Sequence, residues 1–511
     1  LFALFVGQFN FAQMKITRRS FFGRSGWLTG ASLGLPTVNW AQAAGESAAG
    51  KMPRHILHFV ADGTSMATIT CADQLSNLLR ERGLVWLELA QRRDAALAWV
   101  NMRSLNSLVT DSAAAASSWG SGSRVVNGML NILPDGRKLK SLYELAGQAG
   151  WHRGLVTTTE ITHATPSGFA INAKRDDSEA IAAQYLVREV EVMLGGGRKF
   201  FEAANRKDNR NLIREFAEKN YVFLQTQADL LQAPSDRKWL GLFDISHLPY
   251  TIDHVNDPED WATIPSLAQM TRLALDRLRG SSHFILQVEG GRIDHAAHNC
   301  DAAAAFREVI AFDEAIEVGL NFQRQEPDTL LVITVDHGTG NPALNGMGTE
   351  YRQSPRLFAG LMDAKCSFPA LQAMIPKTAS PERIREIIEE AYECRIPLEK
   401  IVALARFLDK KGQTLFDLMN TPTAQLGQLL GNYHGIGWAS GVHTSDYVPL
   451  MAIGPGAERF RGFLQNTEVF YQYLNLAEID YRNPSAALLA EAAPSADDVE
   501  NSAAYNTFAW A

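Results

Sequence analysis

The chain has 511 residues, 46% hydrophobic and 20% charged, with a formal net charge of −8. Such a composition buries a large core without disulfides or structural metals and excludes disordered and collagen-like classes. An acidic chain is also a poor general binder of nucleic acid, so no nucleic-acid surface is expected and an anionic ligand must meet a locally positive site.

In chain order, residues 14–43 read MKITRRSFFGRSGWLTGASLGLPTVNWAQA, with Arg18 and Arg19 paired and Ala41-Gln42-Ala43 at the close. This is the layout of a twin-arginine export signal with an A-x-A cleavage site. Its apolar stretch falls short of the ~20 residues a spanning helix needs. Residues 1–13 read as an upstream extension and 44–511 as the exported domain, periplasmic or extracellular. Removing Lys15, Arg18, Arg19 and Arg24 takes the charge from −8 to −12, since residues 1–43 hold no Asp or Glu.

Beyond the signal, apolar runs of β type alternate with helical patterns, which predicts an α/β fold with a mostly parallel central sheet between helices. The strand candidates are HILHFVAD (55–62), GLVTTT (154–159), HFILQVEG (283–290), TLLVITVD (329–336) and VPLMAIG (448–454). Residues 264–279 predict a helix with Pro265 near its start and Gly280 just past its end. Residues 365–440, with the charged helix SPERIREIIEEAYE, read as a largely helical insertion, and the Ala-rich acidic tail from about 485 as loosely held. The four cysteines, Cys71, Cys300, Cys366 and Cys394, show no C-x-x-C spacing; the alternatives are a Cys366–Cys394 bridge or four free thiols.

Three of the strands end on acid: Asp62, Glu289, and Asp336 followed by His337. In a parallel sheet the carboxyl ends of all strands open on one edge, where ligands bind. Carboxylates gathered there repel one another, and a cation is the natural compensation. The segment EGGRIDHAAH adds Asp294 and His298, four residues apart and so on one helix face, as chelating pairs are. In VTDSAAAASSWGSG, Ser112 falls in the first turn of a predicted helix, near free backbone N–H groups. No G-x-S-x-G elbow surrounds it, which makes a metal the better activator than a histidine base. ITHATPSG brings His163 and the hydroxyl of Thr165, and His443 stands just before the strand VPLMAIG.

The ordered set VADGTS, VTDSAAAASSWGSG, ITHATPSG, MLGGGRKFF, VEGGRIDHAAH, VDHGTGN and HTSDYVPLMAIGPGA resembles the alkaline phosphatases over roughly residues 54–456. That resemblance implies two Zn²⁺ and one Mg²⁺ per chain, phosphate monoesters as substrates, and a homodimer. One zinc would take Asp294, His298 and His443; the other Asp62, Asp336 and His337, with Ser112 reaching it as nucleophile. Magnesium would take Asp62, Thr165 and Glu289, all oxygen donors. Ser112 would attack in line at alkaline pH, giving a phosphoserine that water then hydrolyses. Arg175, with Lys174 as the alternative register, would hold the phosphoryl oxygens, and His163 and His295 would border the substrate beside the magnesium site, where two imidazoles could weaken magnesium or admit a third zinc. The competing readings are a phosphodiesterase of the same superfamily and an inactive phosphate-binding protein.

Overall fold

The computed structural model describes residues 52–346, 351–408, 419 and 421–488; residues 14–43, expected to be an export signal, and most of the acidic tail lie outside them. A ten-stranded sheet runs through the middle. In chain order its strands are β1 (His55–Ala61), β2 (Ala96–Asn101), β3 (His152–Glu160), β4 (Val192–Gly196), β5 (Tyr221–Leu224), β6 (Lys238–Leu242), β7 (Phe284–Gly290), β8 (Thr329–Val335), β9 (Val448–Ile453) and β10 (Gly462–Gln465). They lie in the order β10-β2-β9-β8-β1-β7-β3-β4-β6-β5. Every residue of β1, β7 and β8 is buried, as expected of central strands covered on both faces. In β1 alone Ile56, Leu57, Phe59 and Val60 have no exposed surface, each worth about 1.5–3 kcal/mol of hydrophobic burial.

All neighbouring strands pair in parallel except β9, which is antiparallel to both β8 and β2. The reversal has a functional result. Because β9 runs backwards, His443, just ahead of its start, reaches the edge where β1, β7 and β8 deliver their carboxyl ends. Strand β2 escaped the sequence reading because its Ala-rich segment AALAWV lacks the β-branched residues of the other strands; only alternate residues are buried, with Leu97 and Trp99 facing outward.

Helix α1 (Ser112–Ser121) is buried at all ten positions, which explains its Ala run. A Cβ on Gly120 would come within 1.9 Å of the Gly168 carbonyl, so only a glycine admits the short helix α2 (Ala164–Gly168) alongside. This close approach carries Ser112 and Thr165 on adjacent elements. The helix expected over 264–279 spans Leu267–Leu278 as α3, and Ser266 rather than Pro265 opens it through a capping box with Gln269. Helix α4 (Arg292–His298) follows β7, and the 24-residue α5 (Ala302–Gln325) backs the sheet.

Within 365–440 the described helices are Phe368–Met374, Pro381–Tyr392, Leu398–Leu408 and Pro422–His434. Two carboxylates, Asp301 buried and Asp253 half-buried, fasten the start of this region. Asp301 caps α5 through the Ala304 N–H and also accepts the Phe368 N–H at 2.7 Å. Asp253 accepts both the N–H and the hydroxyl of Ser367. The Cys366–Cys394 bridge does not form: all four thiols are free, Cys366 buried and Cys394 half-buried.

Replacing Asp301 by alanine removes a helix cap and strands the Phe368 N–H. Urea unfolding at pH 6 is expected to show a loss of about 2–4 kcal/mol, with faster proteolysis within 365–440. Burial pushes the Asp301 carboxyl up to about 7. A pKa raised on folding contributes stability that fades as pH rises through it, so the loss should be smaller at pH 9.

Candidate metal centre

At the carboxyl edge the acids converge. Asp62, Glu289, Asp294 and Asp336 are each at most 1% exposed. Three sets of side chains bring ligand atoms within 4.8 Å of one another: Asp294 with His298 and His443; Asp62 with Asp294 and His337; Asp62 with His163 and Glu289.

In the first set, His298 Nε2 lies 3.3 Å from Asp294 Oδ2, His443 Nε2 lies 3.7 Å from Asp294 Oδ1, and the two Nε2 atoms are 3.0 Å apart. His298 Nδ1 meets the Gly441 carbonyl at 2.7 Å and His443 Nδ1 the Thr110 carbonyl at 3.0 Å. A carbonyl only accepts, so each Nδ1 carries the proton and each Nε2 presents a lone pair. Two facing lone pairs repel unless a cation lies between them. Carbonyls that fix the outer nitrogen in this way are the usual support for metal-binding histidines.

The second set is built where β1 and β8 end. His337 Nε2 is 2.9 Å from Asp336 Oδ2, 3.7 Å from Asp62 Oδ1 and 3.1 Å from Ser112 Oγ. Asp336 turns its Oδ1 to the backbone N–H groups of Gly63 and His337, which leaves Oδ2 for the site. Gly63 has φ +66 and a Cβ there would sit 2.4 Å from Asp294 Oδ1, so glycine lets the β1 turn pass directly over the carboxylates. Thr339, not singled out in the sequence, donates to Asp294 Oδ1 at 2.7 Å and lies 3.3 Å from His337 Nδ1.

In the third set Thr165 donates to Asp62 Oδ2 at 3.3 Å, while Thr157 and Thr159 both donate to Glu289 Oε2. His163 Nδ1 stands 3.9 Å from Glu289 Oε1, so this histidine joins the third group. Asp62 Oδ1, Glu289 Oε1 and His163 Nδ1 are all buried without a hydrogen-bond partner. Orphaned acceptors at one point, in a donor set of carboxylates and imidazoles, fit divalent cations.

The charges respond accordingly. Burial, with the charges of Asp336, Asp294 and Glu289 around it, raises Asp62 well above the usual carboxylate range. Burial opposes ionisation of Asp294 as well, yet His298 and His443 hold it well below that range. His337 is raised in spite of burial by the Asp336 carboxylate. Burial pushes His443 down to about 3.

Ser112 opens α1 directly after its cap, Asp111, whose Oδ1 accepts the Ala114 N–H. Arg175 Nη1 donates to Asp111 Oδ2 at 2.9 Å, whereas Lys174 is exposed. Burial works against this carboxylate too, but the guanidinium keeps Asp111 below its ordinary value. The pair fixes Arg175 beside the serine. His295 stands with His163 and with His247, a residue absent from the sequence reading. His247 was invisible because it is a lone histidine in a loop, SHLPY, whose one signal is that β6 precedes it.

With this geometry in place, the comparisons are decisive. A sequence model described as alkaline phosphatase matches residues 53–479. The chain belongs to the alkaline phosphatase family. It is 33% identical to alkaline phosphatase 4 of Bacillus subtilis over 374 residues, covering 70% of this chain and 75% of that protein. It is 28% identical to the repressible alkaline phosphatase of Saccharomyces cerevisiae, over 84% of this chain and 82% of the other. The crystal structure of Thermus thermophilus alkaline phosphatase superposes with a TM-score of 0.80 at 32% identity, spanning 89% of this chain and 98% of that one. This protein is therefore a metal-dependent hydrolase of phosphate monoesters. No described helix is long and apolar enough to cross a membrane.

Because the folded pKa values of Asp62 and His337 are raised, the metal-free fold binds more protons than the unfolded chain and loses stability as pH climbs through them. The gap in thermal unfolding midpoint between metal-loaded and chelator-stripped protein should thus be wider at pH 9 than at pH 7. Equal gaps would mean that the acidic cluster needs no cation.

Proposed function

We propose that Ser112 is the nucleophile, that Asp294, His298 and His443 hold one zinc and Asp62, Asp336 and His337 the other, and that Asp62, Thr165 and Glu289 hold the third ion, magnesium. The observation that carries this reading is the position of Ser112 Oγ, 3.1 Å from His337 Nε2 at the opening of a buried helix. When bound, such ions supply Lewis acidity and bring the pKa of a coordinated water to about 7.

The chain's own residues then divide the work. Arg175, held by Asp111, presents its guanidinium to the equatorial phosphoryl oxygens, a task its planar fork suits. The free N–H groups at the start of α1 add a favourable field for the anion. Ser112 Oγ forms a bond to phosphorus as the ester oxygen leaves with the alcohol. Water then cleaves the phosphoserine from the opposite side, restoring the hydroxyl and releasing inorganic phosphate. Thr339 and the carbonyls of Gly441 and Thr110 hold the surrounding groups in the required protonation states.

The finer assignment at the third set turns on His163. An all-oxygen set favours magnesium, and an added imidazole shifts preference toward zinc. We also assign residues 365–440 as an insertion on a catalytic domain spanning 44–511. The segment 14–43 is read as a signal for the twin-arginine machinery, delivering the enzyme to the periplasm or medium, and a homodimer is its assembly.

Hydrolysis of p-nitrophenyl phosphate at pH 7 to 10 tests the nucleophile. Ser112→Ala should lose activity by at least ~10³-fold while retaining its zinc, a loss typical of removing a covalent catalyst. Activity on the bis ester that equals or exceeds activity on the monoester would favour the phosphodiesterase reading, and zinc binding with neither activity the inactive one. At the third set, magnesium added to stripped, zinc-reloaded enzyme should raise the rate, and His163→Asp should deepen that response; an unchanged rate in both would remove magnesium from the site.

A further inference from the structure

Beside the third set stand three imidazoles in mutual edge contact. Ring centroids are 5.5 Å apart for His163 and His295, 5.9 Å for His163 and His247, and 4.6 Å for His247 and His295, all with planes close to perpendicular. The reading above gives His247 no role.

The partners of these rings fix their protons. The backbone N–H of Glu160 donates to His247 Nδ1 at 3.1 Å, and Arg292 Nη1 donates to His295 Nδ1 at 2.7 Å. An amide N–H and a guanidinium can only donate, so each Nδ1 carries a lone pair and each neutral ring bears its proton on Nε2. That is the reverse of His298 and His443. Neither Nε2 is among the buried polar atoms that lack a partner, and neither is hydrogen-bonded to a described residue, so both N–H groups reach accessible surface.

The supports are stiff. Loop 244–248 is tied down by Gly197 N–H to the Ser246 carbonyl at 2.6 Å and by Leu248 N–H to the Thr158 carbonyl at 3.0 Å. Ser246 Oγ also donates to Glu160 Oε1 at 2.8 Å. The Arg292 guanidinium carbon lies 3.8 Å from the centre of the Tyr250 ring while the group holds His295. Donors fixed before a ligand arrives need no reorganisation to meet it.

We propose that His247 is a further substrate-positioning residue, whose Nε2–H acts with that of His295 to donate to a non-bridging phosphoryl oxygen, directly or through one water. The inference rests on the phosphoryl group lying at the metal centre. A pair of neutral N–H donors matches an oxygen acceptor and cannot supply the lone pairs a metal requires. Because the acceptor oxygen is present in substrate, transition state and product alike, the contact acts as uniform binding and shows in KM and in product inhibition rather than in kcat.

The test compares wild type, His247→Phe and His247→Gln, using p-nitrophenyl phosphate as substrate and inorganic phosphate as competitive inhibitor, with metal content and unfolding midpoint measured on each. His247→Phe should raise KM and the phosphate Ki by about tenfold, the range of a hydrogen bond to a charged group, with kcat and metal content retained. His247→Gln, which keeps an N–H donor, should recover part of the loss. An unchanged Ki in a folded, metal-loaded His247→Phe overturns the proposal. Equal losses in both variants together with loss of the third ion also overturn it, assigning His247 to metal retention. Should the phenylalanine variant fail to fold, ¹⁵N-histidine spectra of wild-type holoenzyme decide. They should show an Nε2–H tautomer for His247 that responds to phosphate; an Nδ1–H tautomer, or no response at saturating phosphate, sinks the idea. A wild type that hydrolyses the monoester yet matches the variants fails this inference alone, whereas one without monoesterase activity fails the wider reading too.

Discussion

Four carboxylates buried at one edge of one sheet are the constraint on which the rest of this structure depends. Asp62, Glu289, Asp294 and Asp336 repel one another in a medium that screens charge poorly, and burial adds the cost of desolvating each. Such a cluster is stable only when positive charge is brought to it. The surrounding architecture is organised to do this: imidazoles with lone pairs turned inward, a helix opening on Ser112, and a guanidinium restrained by Asp111 at 2.9 Å.

The histidines show how the same side chain is given opposite tasks by its outer partner. Where a carbonyl receives Nδ1–H, as at His298 and His443, the inner nitrogen becomes an acceptor suited to a cation. Where a backbone amide or guanidinium donates to Nδ1, as at His247 and His295, the inner nitrogen becomes a donor suited to an oxygen. Two electrostatic regions thus lie within one cleft, distinguished by hydrogen bonds one layer removed from any ligand.

Much of the sheet was legible because its central strands are continuous apolar runs, and their terminal acids stood out against them. HILHFVAD, HFILQVEG and TLLVITVD became β1, β7 and β8 with ends within a residue or two of those expected. Strand β2 was not legible, since its segment AALAWV is rich in Ala, a strong helix former, rather than in β-branched residues. Nor could the reversal of β9 be read, because an apolar run carries no sign of its direction. Of the two alternatives open for the cysteines, a Cys366–Cys394 bridge or free thiols, the structure has free thiols, a choice that only three-dimensional placement decides.

By itself the sequence determined which chemistry this protein carries: acids at strand ends, Asp294 and His298 one helical turn apart, and a serine leading an alanine helix, in an order that resembles alkaline phosphatases. Those features are local, and local spacing is what a sequence records. Only the tertiary structure decided which nitrogen of each histidine faces the cleft, that Arg175 rather than Lys174 pairs with Asp111, and that His163 and His247 stand beside Glu289 and His295. Most of these depend on partners tens to hundreds of residues distant, such as Gly441 for His298 or Glu160 for His247, while His295 takes its partner Arg292 from the same helix. Hydrogen bonds of that separation come into being only when the chain has closed its sheet.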